Sequence, residues 1–327
     1  MEKDLLTMIK YNILLFDDMD PKGEKVLKEK AKIKIAKSLE EDYLLEEVKD
    51  VDGIIIRANG KITRKLMEGA PKLKVIGKHG VGIDEQIDVQ AATDNKIQVV
   101  STPDANYESV AEQTIGFMIA ISKKMRKADI ATRKLDWNAR YHLIGQELYG
   151  KRLGIIGFGK IGRRVAEIGI LAFKMPILYY DKFEYKTFEE KYKNCKKVPL
   201  EDLLKNSDYI SINIPYFPEL HHLIGEGEID LMKKSAYIIN TSRGKLWDEN
   251  SLYKALKIGK IAGAATDVYE EEPFKGGTKL RELDNMIFSP HMAAHTKEAL
   301  VRMSLVAEDV IAVLEGKEPK YPVNRLN

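Results

Sequence analysis

Three kinds of side chain that can act together on a carbonyl follow apolar runs in the C-terminal half of this chain. Arg243 lies in NTSRG (240–244), directly after AYIIN. Three glutamates, Glu270, Glu271 and Glu272, meet Pro273 in DVYEEEPF (267–274). His291 follows Pro290 in SPHMAAHT (289–296). A guanidinium grips a carboxylate through two parallel hydrogen bonds and polarises the neighbouring carbonyl. An imidazole gives and takes the proton of a carbonyl/alcohol pair. A carboxylate on its other nitrogen holds the ring and favours its charged form. Reversible hydride transfer to a 2-oxo acid needs this set, with a nicotinamide performing the difficult step. His291 and His295 are also four apart, the spacing of two metal ligands on one helical face. Met292, however, stands where a metalloprotease helix carries its glutamate, and Pro290 marks a helix only beginning, so no metal is expected.

A second motif supplies the nucleotide. In LGIIGFGKIGRRVA, Gly157, Gly159 and Gly162 follow an apolar run and open a helical pattern, and Asp181 ends the next apolar run nineteen residues after Gly162. In a dinucleotide fingerprint the first glycine makes the tight turn and the second lets a pyrophosphate approach the backbone. The third packs helix on strand, and the helix N-terminus attracts phosphate charge. Asp181 would accept the adenosine ribose hydroxyls and repel a 2′-phosphate, favouring NAD over NADP, with Lys182 beside it softening that repulsion.

Elements that would position these groups alternate along the chain. Strands are expected at 11–16, 53–57, 73–77, 97–100, 153–157, 176–181, 208–213, 236–240, 262–268 and 286–289. Most are apolar throughout, as in parallel sheets covered on both faces. Helices are expected at 109–125, with Ser109 and Glu112 as a capping box, from the Gly157–Gly162 turn to Ala172, and at 297–316, ended by Gly316. The fold class is α/β: two doubly wound parallel-sheet domains, one a Rossmann NAD-binding domain and the other a discontinuous flavodoxin-like substrate domain. The boundaries read as 1–104 for the first substrate segment, 105–292 for the NAD-binding domain and 293–327 for a helix returning to the substrate domain, with the crossing in STPDAN (101–106).

Composition excludes several classes. Of 327 residues, 44% are hydrophobic and 31% charged, and 53 basic against 50 acidic side chains leave +3, so neither nucleic acid nor an anionic membrane is an expected partner. The lysine-rich KEKAKIKIAK (28–37) reads as a solvated helix or strand edge. Cys195, the single cysteine, reads as a surface bystander. The first ten residues do not resemble a signal peptide, and no run of 18 apolar residues exists, so a reducing, cytoplasmic setting is expected.

The motifs KHGVGIDEQIDVQAA, ANYESVAE, LGIIGFGKIGRRVA, IPYFPELHHLI, MKKSAYIINTSRG, GAATDVYEEEP and SPHMAAHT, in this order from about Ile54 to Ala312, resemble those of the D-isomer-specific 2-hydroxyacid dehydrogenases. The resemblance implies that Arg243 binds substrate, Glu272 is the carboxylate partner and His291 is the acid/base. It further implies that Asp267 lies against the nicotinamide amide, that Lys160 and Ile161 cover the pyrophosphate by their backbone, and that Ile214 and Pro215 line the cofactor cleft. Thr241 and Ser242 of NTSRG join the cofactor set. The loop Gly80-Val81-Gly82 holds the substrate carboxylate by its N–H groups, Asn106 reaches substrate, and Arg57 meets either a distal phosphate or solvent. His79 is then a neighbour, and His221 and His222 cap the next helix. Phe217 and Leu220 stand where the family often has threonines, and Trp247 where it has a small apolar residue.

The expected activity is NAD-dependent hydride transfer between a small 2-oxo acid and its D-2-hydroxy acid, of hydroxypyruvate, glyoxylate or 3-phosphoglycerate type. Formate-type oxidation is disfavoured, because members performing it carry an amide where Glu272 stands. The alternative is a non-catalytic NAD-sensing corepressor or scaffold on the same fold. A homodimer is expected through the apolar 109–125 helix and the segment after it.

Overall fold

The computed structural model describes residues 9–83 and 86–326, so the N-terminal segment lies outside the described residues. The described chain forms two compact units. One comprises the residues up to Asn106 and those from His295 onward, the other Tyr107–Ala294.

The first unit holds a five-stranded sheet: β1 (Tyr11–Leu15), β2 (Ala31–Ile35), β3 (Gly53–Ile56), β4 (Val75–Lys78) and β5 (Gln98–Val100), in the order β2-β1-β3-β4-β5. The second holds seven strands: β6 (Leu153–Ile156), β7 (Ile177–Tyr180), β8 (Cys195–Lys197), β9 (Tyr209–Ile212), β10 (Tyr237–Asn240), β11 (Gly263–Thr266) and β12 (Met286–Phe288), in the order β12-β11-β10-β9-β6-β7-β8. Every pairing is parallel. The first order is flavodoxin-like. The second contains the dinucleotide-binding order, whose direction reverses between β6 and β9. Each sheet is covered on both faces by an apolar cluster, which is why its strands are apolar throughout.

All ten expected strands form. Two more are found, β2 and β8, and both are sheet edges. The lysines of β2 alternate outward, Lys34 pairing with Glu47. Cys195 corrects the expected surface position: it is buried at the start of β8, and burial pushes its thiol up to about 12.

The long apolar helix spans Tyr107–Ser122. Ser109 lies inside it and donates to the Ala293 carbonyl at 2.7 Å, so it is not the N-cap. The helix buries its apolar residues within its own unit, so its girth needs no subunit contact. The expected C-terminal helix is two, Lys297–Ser304 and Val306–Leu314, with Gly316 at φ +75° beyond them. No helix of the described residues is long and apolar enough to cross a membrane.

Candidate active site

At the β6–β9 switch point the three glycines divide their work. Gly157 has φ +91°, and a Cβ there would lie 2.3 Å from Ile214 and 2.7 Å from the Asn213 backbone. At Gly162 a Cβ would lie 2.1 Å from the Gly157 carbonyl, so the helix Lys160–Phe173 packs directly on the turn. At Gly159 a Cβ would meet nothing within 4 Å. The first and third glycines therefore serve the fold, and the second leaves open space at a helix N-terminus, the cradle a pyrophosphate fits. The Asp181 carboxylate accepts from Phe158 N at 2.7 Å and Phe183 N at 2.9 Å, which ties it to the glycine loop.

Beyond β10, Asn240 shapes the arginine turn. Its Oδ1 accepts from Ser242 N at 3.0 Å, and its Nδ2 donates to the Arg243 carbonyl at 2.9 Å. Ser242 Oγ donates to the Ile214 carbonyl, joining this turn to the end of β9. The Thr241 hydroxyl is buried and pairs with Thr114 at 2.9 Å. Arg243 Nη1 donates to the Ser242 carbonyl at 2.7 Å. The next loop lies on this turn: a Cβ at Gly244 would come within 1.9 Å of the Tyr269 carbonyl carbon. Arg243 and the loop bearing Glu272 are thus in backbone contact through Gly244.

His291 Nδ1 and Glu272 Oε2 are 2.6 Å apart. Burial opposes ionisation of Glu272, but the His291 ring, the Tyr269 N–H and Arg243 outweigh it and hold the carboxyl below its ordinary range. Glu272 is therefore an anion, and it fixes the Nδ1–H tautomer of His291. Glu272 Oε1 accepts from Tyr269 N at 3.0 Å, and Tyr269 Oη donates to the Ser289 carbonyl at 2.8 Å, so Tyr269 links the glutamate loop to the histidine loop.

Asp267 is the hub of that second loop. It is buried, and its carboxylate accepts from Met292 N and Ala293 N, both at 2.8 Å, and from Ser289 Oγ. His291 N donates to the Asp267 carbonyl at 2.8 Å. These bonds hold His291 at φ +49°, a conformation that costs a β-carbon-bearing residue free energy and persists only where its surroundings enforce it. The sequence signalled Asp267 as important but not this work, because its partners lie more than twenty residues away.

In the first unit, Arg57 Nη2 lies 3.0 Å from His295 Nε2. The rings of His291 and His295 thus have different partners and belong to different units. Gly80, at φ +126°, donates its N–H to Thr102 Oγ1 at 3.2 Å, so of the three expected loop donors this one already has an acceptor. His79 is 3% exposed, with neither ring nitrogen hydrogen-bonded among the described residues, and the Oδ1 of Asn106 is likewise buried and unpartnered. Burial, then the charge of Arg57, lowers the His79 imidazole to about 4.

His222 does not cap the helix Glu226–Leu231; Gly225 starts that helix, with Glu228 bonding back to the Gly225 N–H at 3.1 Å. His222 Nε2 instead reaches Glu270 at 3.1 Å, beside Asp248. Both acids cap the helix Glu249–Lys257, which accounts for this group of possible metal ligands. Trp247 is buried in the core, and Phe217 is exposed.

Residues 115–293 match the family model for the D-isomer specific 2-hydroxyacid dehydrogenase, NAD binding domain. A D-3-phosphoglycerate dehydrogenase of Methanocaldococcus jannaschii is 42% identical over 316 residues, covering 96% of this chain but 60% of that protein, so this chain spans little more than half its length. A glyoxylate reductase of Korarchaeum cryptofilum is 39% identical over 286 residues, 86% of this chain and 85% of that protein. Among solved structures, the D-lactate dehydrogenase of Aquifex aeolicus, complexed with NAD and lactic acid, has a TM-score of 0.82 at 32% identity, over 93% of this chain and 96% of that one.

Proposed function

The chain belongs to the D-isomer-specific 2-hydroxyacid dehydrogenases, NAD-dependent oxidoreductases, and from that premise we propose that it interconverts a small 2-oxo acid and its D-2-hydroxy acid with His291 as acid/base, Glu272 as its partner and Arg243 as substrate anchor. The observation that carries the assignment is the 2.6 Å contact between His291 Nδ1 and Glu272 Oε2. NAD supplies the hydride in its reduced form and takes it back in its oxidised form. As the substrate carbonyl carbon is reduced, its C–O π pair moves onto oxygen, and His291 Nε2 gives that oxygen a proton. Glu272 keeps the other ring proton in place and offsets the imidazolium charge that the reverse direction restores. Arg243 grips the carboxylate and stabilises charge growing on the carbonyl oxygen.

For the cofactor, Gly157, Gly159 and Gly162 with the Lys160 and Ile161 backbone take the pyrophosphate, and Asp181 takes the adenosine ribose. Ile214, Pro215, Thr241, Ser242 and Asp267 complete the set. The first unit contributes Arg57, the Gly80-Val81-Gly82 loop and Asn106 to substrate; the buried, unpartnered Oδ1 of Asn106 supports this. Hydroxypyruvate, glyoxylate and 3-phosphoglycerate-type acids are the substrate classes. Mixing the protein with NADH and these 2-oxo acids tests the reading: oxidation of NADH by at least one supports it, and bound NADH with no turnover of any contradicts it.

We further propose a cytoplasmic homodimer. Its contact is the segment after the Tyr107–Ser122 helix, where Leu135 is 91% and Ile144 75% exposed beside Trp137, Tyr141 and Tyr149. Light scattering at micromolar concentration is expected to give twice the chain mass; a monomer contradicts it.

A further inference from the structure

Glu272 uses both of its oxygens. Oε2 faces His291 Nδ1 at 2.6 Å, and Oε1 accepts the Tyr269 N–H at 3.0 Å. That N–H belongs to the peptide joining Val268 to Tyr269, both of which are buried. The other end of the same peptide, the Val268 carbonyl, accepts from Thr266 Oγ1 at 2.6 Å. Thr266 Oγ1 in turn accepts from Val268 N at 3.2 Å. A hydroxyl has one proton to give, and the Val268 carbonyl at 2.6 Å takes it in preference to the Asn240 carbonyl at 3.4 Å. Thr266 is buried at the end of β11, so its hydroxyl works away from water, where linked hydrogen bonds polarise one another. A donor on the carbonyl of a peptide fixes the peptide plane and makes its N–H a stronger donor.

The next peptide is held from another element. Glu270 N donates to Glu249 Oε1 at 3.1 Å, and Glu270 Oε1 accepts from Glu249 N at 3.0 Å. The two peptide planes that flank the Tyr269 α-carbon are thus both set, one by Thr266 and one by Glu249. The Tyr269 N–H between them has a single direction, toward Glu272.

We propose that Thr266 is a positioning residue for the proton transfer: its hydroxyl orients and polarises the Val268–Tyr269 peptide, whose N–H holds Glu272 against His291. This rests on the reading of Glu272 and His291 as the acid/base pair. Thr266 acts through the peptide and not on the reacting atoms.

Thr266→Val exchanges the hydroxyl for a methyl group and keeps the β-branched shape of the strand residue. With glyoxylate and NADH its kcat is expected to fall about threefold to tenfold, with KM for NADH unchanged. Thr266→Ser, which keeps the hydroxyl, restores kcat. In the Glu272→Gln background Thr266→Val costs no further rate, because the N–H has no carboxylate left to hold. An unchanged kcat in Thr266→Val, an equal loss in Thr266→Ser, or the same loss in the Glu272→Gln background overturns the proposal. Amide hydrogen exchange reads the same bond without turnover. In Thr266→Val the Tyr269 N–H is expected to exchange about tenfold faster than in the parent, while those of Ala264 and Ala265, inside the sheet on the same strand, keep their rates. Parent-like exchange at Tyr269, or an acceleration shared equally by Ala264 and Ala265, overturns the proposal. If the parent turns over no 2-oxo acid, faster exchange at Tyr269 alone still supports the positioning of Glu272, and only the reductase reading fails.

Discussion

The loop carrying His291 and the turn carrying Arg57 both leave the carboxyl ends of parallel strands, yet they are built differently. Around His291, Asp267 takes three donors, Tyr269 bridges to Ser289, and Asn240 closes the neighbouring arginine turn. In the first unit the backbone of the Arg57 turn is as firmly tied, but the His79 ring and the Asn106 carbonyl oxygen are buried without partners among the described residues. The bonds around the proposed proton-transfer group are thus completed by the protein itself, whereas the His79 ring and the Asn106 oxygen bear the cost of unsatisfied groups, about 1–3 kcal/mol for each buried donor or acceptor. Chemistry common to a family tolerates no freedom in its geometry. On the proposed reading, the unpartnered groups of the first unit are those for which the substrate is the outside partner.

The strongest way to break this contrast is to remove the imidazole of the completed loop. His291→Ala is expected to lower the catalytic rate by ~10²–10⁴ in steady-state NADH oxidation; a rate near that of the parent would move the proton transfer to another group. His79→Leu probes the other side. A histidine neutral in the fold at about 4 and ordinarily at 6.5 binds fewer protons folded than unfolded between those values. The parent's stability should therefore be complete above 6.5 and decline as the pH falls toward 4, by about 3 kcal/mol in all. In His79→Leu, urea unfolding followed across that range should lose this slope while stability at neutral pH is kept; a variant that unfolds more easily at neutral pH would show that the ring has a structural partner after all. The smallest effect is expected from Asp267→Asn. Its amide group turns one accepting oxygen into a donor facing Met292 N or Ala293 N, a loss of about 2 kcal/mol in stability. Its catalytic rate should fall with its thermal midpoint, and an unaffected rate would mean that the positive φ of His291 holds without the hub.

How far these features could be read from residues alone depends on the range of the interactions. The ten strands buried on both faces were legible as apolar runs. The two edge strands were not, because AKIKI and CKK mix lysine with apolar residues as solvated edges do, and only Ala31 and Cys195 turn fully inward. The glycine turn was legible to the level of each glycine, since the constraint lies within six residues. Ser109 was misread as a cap because its acceptor, Ala293, is 184 positions away. The partner of His222 is 48 positions distant and that of Arg57 is 238. Residue identities pointed to the proposed acid/base set, while the wiring that holds it was invisible without the fold.

In the proposed chemistry Glu272 and His291 act as one unit, and pre-steady-state NADH oxidation in Glu272→Gln, His291→Ala and the double variant measures this directly. A carboxylate that works only through the imidazole should have nothing left to lose once the ring is gone, so the double variant should be no slower than His291→Ala alone. Losses that multiply would mean that the two side chains act separately, and the dyad would not be the acid/base of this enzyme.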